Sequence, residues 1–325
     1  MLRSGLTLLD GGMGRELQRR GLAAVRGTWS AEALLEQPSV VQAIHQDFIA
    51  AGAEVVTTSN YAVVPFMLAR GGLEHRMDEM LAAALRLAQA ARAAAGRPQV
   101  RIAGCLPPLA QSYRPELVGP PEEIEPLYRR IAGALAPGVD LFLCETLSSG
   151  AEARSAAKAA GAFGKPVWVA WTLADEANGR LRSGESPGEA VAALDGLPVD
   201  AVLFNCCTPE ALSAALPALR AATTRRLGAY ANALPGFKAD YVIGAQEGEG
   251  GARRRRAATS VPPPISASPA TGGAWARTSS AAVAALARTT SPSCTAACPE
   301  LRRKGGARRA RFFAYRLGRL GMALP

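Results

Sequence analysis

The 325-residue sequence predicts an α/β fold: a (β/α)8 TIM-type barrel in which seven βα units are recognisable and the eighth strand is missing or garbled. Two observations predict it. Short apolar runs alternate with helical patterns through residues 5–235, as a parallel sheet requires. Several of those runs also end abruptly in chemically capable residues. VDLFLCET (139–146) ends around Glu145, AVLFNCCT (201–208) ends in Asn205, Cys206 and Cys207, and LTLLDGGMG (6–14) turns polar at Asp10. Strands of a parallel barrel are buried along their bodies and carry the active site at their carboxyl ends. Two carboxylates and a thiol at three such ends suggest one site assembled from distant parts of the chain.

The strand-like runs are Leu6–Leu9, Glu54–Thr58, Val100–Ala103, Asp140–Cys144, Val167–Thr172, Ala201–Asn205 and Leu227–Tyr230. The first helical pattern, Ala31–Ala51, is amphipathic, with Ser30 expected as its N-cap and Glu32 in its first turn. Met77–Ala95 is rich in Ala, Leu and Arg, and Pro121–Ala136 and Gly150–Ala160 follow. Pro209–Ala222 opens with Pro-Glu, a favourable helix start. Glu145 has a second reading, as an N-terminal cap for the helix that follows it.

From Gln246 the periodicity stops, so the chain divides into a barrel domain, 1–245, and a basic tail, 246–325. The charge divides in the same way. Residues 251–325 hold 14 Lys and Arg and one acid, Glu300, whereas residues 1–250 hold 23 basic and 26 acidic residues. The overall +10 therefore describes the tail and not the barrel. The Arg253–Arg256 run repels itself and Pro262–Pro264 cannot donate ladder hydrogen bonds, so no eighth strand is expected from about residue 250 onward. Local helix around Ser279–Ala287 is compatible with the alanine content.

No apolar run is long enough to span a membrane and no signal-peptide pattern opens the chain, which leads us to expect a cytoplasmic protein. Six cysteines are too few for a disulfide scaffold of this length and fit reduced thiols. Cys105 and Cys144 read as core residues, and Cys207 as a neighbour facing away from Cys206. The two histidines, His45 and His75, read as exposed or hydrogen-bonded helix residues, which speaks against a Ser/His/Asp triad or a His-rich metal site.

At LLDGGMGRELQRRG (8–21), TWSAEAL (28–34), HQDFIAAGAEVVTTSNYA (45–62), DLFLCET (140–146), LRSGE (181–185), LFNCCTPE (203–210) and GAYAN (228–232), the chain resembles the homocysteine S-methyltransferases. Each stretch is weak alone; their order and barrel positions make the set specific. The resemblance implies a zinc-dependent barrel that methylates homocysteine to methionine, in methionine biosynthesis. The donor would be a sulfonium or quaternary ammonium compound such as S-methylmethionine, S-adenosylmethionine or betaine. Glu145 would bind the substrate amine, Asp10 and Gly11 would line the same pocket, and Tyr61 and Asn205 would join them. Cys206 would be one of three zinc thiolates. Zinc makes chemical sense there, because it deprotonates a thiol while leaving the sulfur able to attack.

The other two thiolates of that family, a Gly-Gly-Cys-Cys at the end of strand eight, have no counterpart here. Cys294 and Cys298 are poor substitutes, lying in a Ser/Thr/Ala context without a strand. The tail reads instead as family sequence in a shifted frame. Codons compatible with Arg277–Ala287, read one base ahead of the Thr278 codon, encode Asp-Ile-Val-Gly-Gly-Cys-Cys-Gly-Val-Gly. The alternative is a zinc-free, amino-acid-binding barrel whose basic tail is a genuine nucleic-acid- or membrane-binding arm. The frameshift reading itself carries no expectation of a membrane or nucleic-acid partner. A barrel lyase using Glu145 as base finds no strand-end lysine to support it.

Overall fold

The computed structural model describes residues 6–22, 28, 30–232 and the backbone of 285–287. Eight strands form one sheet: β1 (Leu6–Leu8), β2 (Val55–Thr57), β3 (Arg101–Leu106), β4 (Leu141–Leu147), β5 (Val167–Trp171), β6 (Val199–Asn205), β7 (Arg226–Tyr230) and β8 (Ala285–Ala287). The helices among the described residues are α1 (Met13–Arg19), α2 (Ala33–Glu36), α3 (Pro38–Ala50), α4 (Pro65–Leu68), α5 (Met77–Ala94), α6 (Pro121–Leu135), α7 (Gly150–Gly161), α8 (Pro187–Ala192) and α9 (Pro209–Ala222). The seven expected strands are all present, with ends shifted by up to three residues.

Neighbours pair in the order β1-β8-β7-β6-β5-β4-β3-β2, and β2 to β7 are mutually parallel. A parallel bridge between Leu9 and Val55 joins the two ends of that order, supported by Asp10 N to Val55 O at 3.0 Å and Glu54 N to Leu8 O at 2.8 Å. The hydrogen-bonded sheet therefore runs around a ring.

The expectation that nothing after residue 250 supplies a strand is corrected at Ala285–Ala287. This segment pairs antiparallel with both β1 and β7, Leu8 and Ala229 each facing Ala285. Without it, β1 and β7 would each leave a row of unpaired backbone groups. Backbone pairing needs no side-chain period, and three residues are too few to show one.

Two helical expectations are also corrected. Ala31–Ala51 is two helices, broken at Gln37, whose φ of −137° is not helical. Pro38 disfavours helical backbone in the residue before it and suits the first helical position. Ser30 caps neither helix, because α2 follows directly on Glu32 and no side chain caps it. Side chains cap three of the later helices. Ser149 accepts from Glu152 N at the start of α7, Thr208 from Ala211 N at the start of α9, and Ser186 with Glu189 forms a capping box on α8. Glu145 is therefore not the cap of the helix after it.

The core has two parts. Leu9, Val55, Ala103, Leu141, Leu143, Trp168, Ala170, Ala201 and Leu203 form a cluster drawn from strand ends and bodies alone, which is the barrel interior. The larger cluster holds the alternate strand residues, among them Val56, Ile102, Phe142, Cys144, Val169, Val202 and Phe204, packed against the helices. His45 lies in this outer region, fully buried, and neither ring nitrogen has a hydrogen-bond partner among the described residues. That corrects its reading as an exposed or hydrogen-bonded residue. Burial pushes its pKa down to about 4, so it is a neutral ring packed as an apolar one.

Candidate active site at the carboxyl ends of the strands

Side chains alternate along a strand, so the residue two beyond an interior residue points inward one layer higher. Applied to the interior cluster, this rule gives Thr57 after Val55, Cys105 after Ala103, Glu145 after Leu143, Thr172 after Ala170 and Asn205 after Leu203. Asp10 follows Leu9 directly, and Tyr230 packs on the interior cluster from β7. These residues form the polar layer over the apolar interior.

The layer is tightly bonded. Asp10 Oδ2 accepts from Thr57 N at 2.7 Å and Oδ1 from Thr57 Oγ1 at 3.2 Å. Glu145 Oε2 accepts from Tyr230 OH at 2.7 Å and Oε1 from Cys105 Sγ at 3.1 Å. Burial raises the Asp10 carboxyl to about 7, against hydrogen bonds from Thr57 and with the Glu145 charge adding to the rise. Burial also raises Glu145, while its bonds from Cys105 and Tyr230 pull it back. Two carboxylates sharing one desolvated mouth give a site that favours a cation.

Cys206 follows β6 through a left-handed corner, φ 51°. Its backbone is pinned from both sides, N to Tyr230 O at 3.1 Å and O from Thr172 Oγ1 at 3.2 Å. Burial, then the Glu145 charge, push its thiol up to about 11, against hydrogen bonds from Thr146, Asn205 and Tyr113. Of the four described cysteines, Cys206 alone keeps part of its surface open.

The sequence-derived site residues divide accordingly. Asp10, Glu145 and Cys206 converge on one mouth, with the Glu145 charge acting on both of the others. Gly11 leaves room for the Phe48 ring, whose Cε1 would stand 2.8 Å from a Cβ there. Tyr61 reaches the same mouth, its OH 2.8 Å from Ser112 Oγ, and burial and the nearby Cys206 raise its pKa well above the usual value. Asn205 lies beneath the mouth, fully buried, with both its amide hydrogens spent on Thr146 Oγ1 and Cys206 Sγ. Cys105 is buried as expected, but its thiol serves Glu145 and is not merely core. Cys144 and Cys207 lie in the outer core. Thr57, Cys105, Thr146, Thr172 and Tyr230 drew no functional reading from the sequence. The two-residue period counted on from each interior residue finds Thr57, Cys105 and Thr172, but not Thr146 or Tyr230.

Beside the mouth, Arg182 lies over the Tyr113 ring at 4.6 Å and pairs with Asp175 at 3.0 Å. Its Nε is 3.4 Å from Thr172 Oγ1. It brings the one motif LRSGE up against the strand ends.

Catalytic zinc takes three protein ligands and an open position. Among the described residues no group of three His, Cys, Asp or Glu is placed to hold a metal. Cys206 faces the mouth, Cys207 is turned into the outer core, and Cys105 is engaged by Glu145. These donors alone do not fit a three-thiolate centre. Cys294 and Cys298 lie outside the described residues. Among the described residues no helix is long and apolar enough to cross a membrane.

The comparisons with known proteins agree on one family. The family model for homocysteine S-methyltransferase matches residues 7–285. A homocysteine S-methyltransferase of Escherichia coli (strain K12) is 32% identical over 242 residues, covering 70% of this chain and 77% of its own length. Homocysteine S-methyltransferase 4 of Zea mays is 29% identical over 252 residues, covering 70% of this chain and 73% of itself. The crystal structure of an Escherichia coli homocysteine methyltransferase in a metallated form superposes with a TM-score of 0.65 at 32% identity, over 71% of this chain and 85% of that one. The chain belongs to the homocysteine S-methyltransferase family.

Proposed function

We propose that this mouth binds homocysteine, its ammonium against Glu145 and Asp10 and its thiol towards Cys206, for methylation by a sulfonium or quaternary ammonium donor. The observation that carries the reading is the convergence of two desolvated carboxylates and one thiol on a single barrel mouth. An ammonium group relieves the repulsion between Asp10 and Glu145 and favours the charged form of both. Thr57, Cys105 and Tyr230 hold the two carboxylates in place before substrate arrives. In the transfer, the donor's methyl carbon forms a bond to the homocysteine sulfur as its bond to the onium centre breaks. The donor leaves neutral, the thiol proton is lost and methionine results. S-methylmethionine, S-adenosylmethionine and betaine all fit that chemistry.

Methionine and homocysteine titrated calorimetrically into the full chain test the binding step. Binding that Glu145→Gln abolishes supports it, and no heat from either ligand at millimolar concentration overturns it.

The donor set favours a second reading, an amino-acid-binding barrel without metal, because the described residues lack two of the three ligands that catalytic zinc takes. Metal content of the purified chain separates the two. We further propose that 1–245 is the barrel domain and 246–325 the product of a one-base shift in reading frame. Support comes from the charge contrast and the family-like shifted reading of 277–287. The nucleotide sequence across codons 235–256 tests it: an uninterrupted frame, with no one-base insertion or deletion against the family pattern, overturns it.

A further inference from the structure

Among the described residues, four non-glycine residues adopt left-handed backbone, and three of them, Tyr113 (φ 69°), Thr146 (φ 63°) and Cys206 (φ 51°), stand at this mouth. A β-branched residue such as Thr146 is a clear outlier there, and such strain persists only where the surroundings hold it. Asn205 provides the hold. Its Oδ1 accepts from Thr146 N at 2.9 Å, and its Nδ2 donates to Thr146 Oγ1 at 2.7 Å and to Cys206 Sγ at 3.2 Å. One buried amide thus grips both the backbone and the hydroxyl of one strained corner and the sulfur of the other. Those corners follow directly on Glu145 and Asn205, at the ends of β4 and β6. Their positions set where the carboxylate and the thiol sit relative to each other.

We infer that Asn205, with the Thr146 hydroxyl, is a positioning clamp that fixes Glu145 and Cys206 in register across β4 and β6 and does not itself touch substrate. Its purpose rests on the homocysteine reading of the mouth, but its geometry does not. The bond ties residues 59 apart in sequence, and its three contacts leave the amide no donor for a ligand. Breaking it removes the side-chain hold on both corners and leaves the Cys206 corner only its backbone bonds to Tyr230 and Thr172.

The experiment alkylates the full chain with iodoacetamide at fixed pH and follows each cysteine peptide by mass spectrometry. Asn205→Ala and the isosteric Thr146→Val each break the clamp and each remove a hydrogen bond that favours the Cys206 thiolate, so each should slow alkylation of Cys206 about tenfold at fixed pH. Thr146→Ser keeps the hydroxyl and should stay within twofold of the parent. Cys105, Cys144 and Cys207 are buried and report global unfolding. Should Asn205→Ala expose them, Thr146→Val decides. Cys206 rates unchanged in both clamp variants, or Thr146→Ser as slow as Thr146→Val, overturn the clamp. Separately, methionine should protect Cys206 in the parent protein. Absence of protection counts against the homocysteine reading and leaves the clamp result standing.

Discussion

Tyr230→Phe isolates one hydrogen bond at the mouth. The hydroxyl donates to Glu145 Oε2 at 2.7 Å, while the other carboxylate oxygen takes the longer bond from Cys105 Sγ, 3.1 Å. Phenylalanine keeps the ring that packs on the barrel interior. What is lost is one charge-assisted bond, worth about 1.5–3 kcal/mol, or roughly 10- to 150-fold in affinity for an ammonium ligand. The loss should depend on pH. Burial already raises the Glu145 pKa, and the Tyr230 bond opposes that rise, so the variant carboxyl is pushed further up. A protonated Glu145 offers no counter-charge, and the penalty should therefore grow as pH falls from 8.5 to 6. Calorimetric titration with methionine across that range reads it, with thermal unfolding as the check on fold. Parent-like affinity at every pH would refute the placing of Glu145 as the ammonium partner.

Three further outcomes follow from the same structure. Glu152 is buried and its carboxyl is raised to about 7 by desolvation, against the bond from Ser148 N. The folded chain then holds a proton that the unfolded chain releases near 4.5, so stability from this group is full below that value and is lost as pH rises to about 7. Glu152→Gln should remove up to about 3 kcal/mol of that pH dependence, read by chemical denaturation at pH 4.5 and 8; an unaltered slope would show the carboxyl to be ionised in the fold. Gly11→Ala places a methyl 2.8 Å from Phe48 Cε1 and 3.1 Å from Cζ, and should cost about 1–3 kcal/mol in unfolding experiments, with weaker amino-acid binding through the displaced Asp10 loop. Cys206→Ser in the one-base-corrected chain should abolish zinc retention and thiol methylation, and full activity in that variant would remove Cys206 from the metal site.

Much of the fold was legible because apolar runs and helical periods survive without tertiary information. The seven strands, and helices such as Met77–Ala94 and Pro209–Ala222, are where the pattern puts them. The chemistry of the mouth was legible only where a residue was odd for its context, as Glu145 and Cys206 are at the end of apolar runs. Thr57, Thr146 and Tyr230 are ordinary strand residues, and their roles arise from contacts between residues 47 or more apart in sequence. His45 was misread for the opposite reason. A titratable residue reads as polar in a sequence, whereas this one is packed among apolar neighbours and kept neutral by burial.

The eighth strand separates two requirements that a barrel of this family combines. Closing the ring is a matter of backbone, and Ala285–Ala287 meets it with three residues that bond to β1 and β7 at once. Delivering ligands to the mouth is a matter of direction and side chains. A parallel strand would bring its carboxyl end level with Asp10, Glu145 and Cys206. Here the strand is reversed, so its first residue, Ala285, stands level with Leu8 and Ala229 on the mouth side. Alanine has no donor to offer a metal. Codons compatible with residues 282–284, just before this strand, encode adjacent cysteines in the shifted frame, the residues the mouth lacks. A ring closed in this way keeps the two carboxylates together at the mouth, while among the described residues Cys206 has none of the partners that catalytic zinc takes.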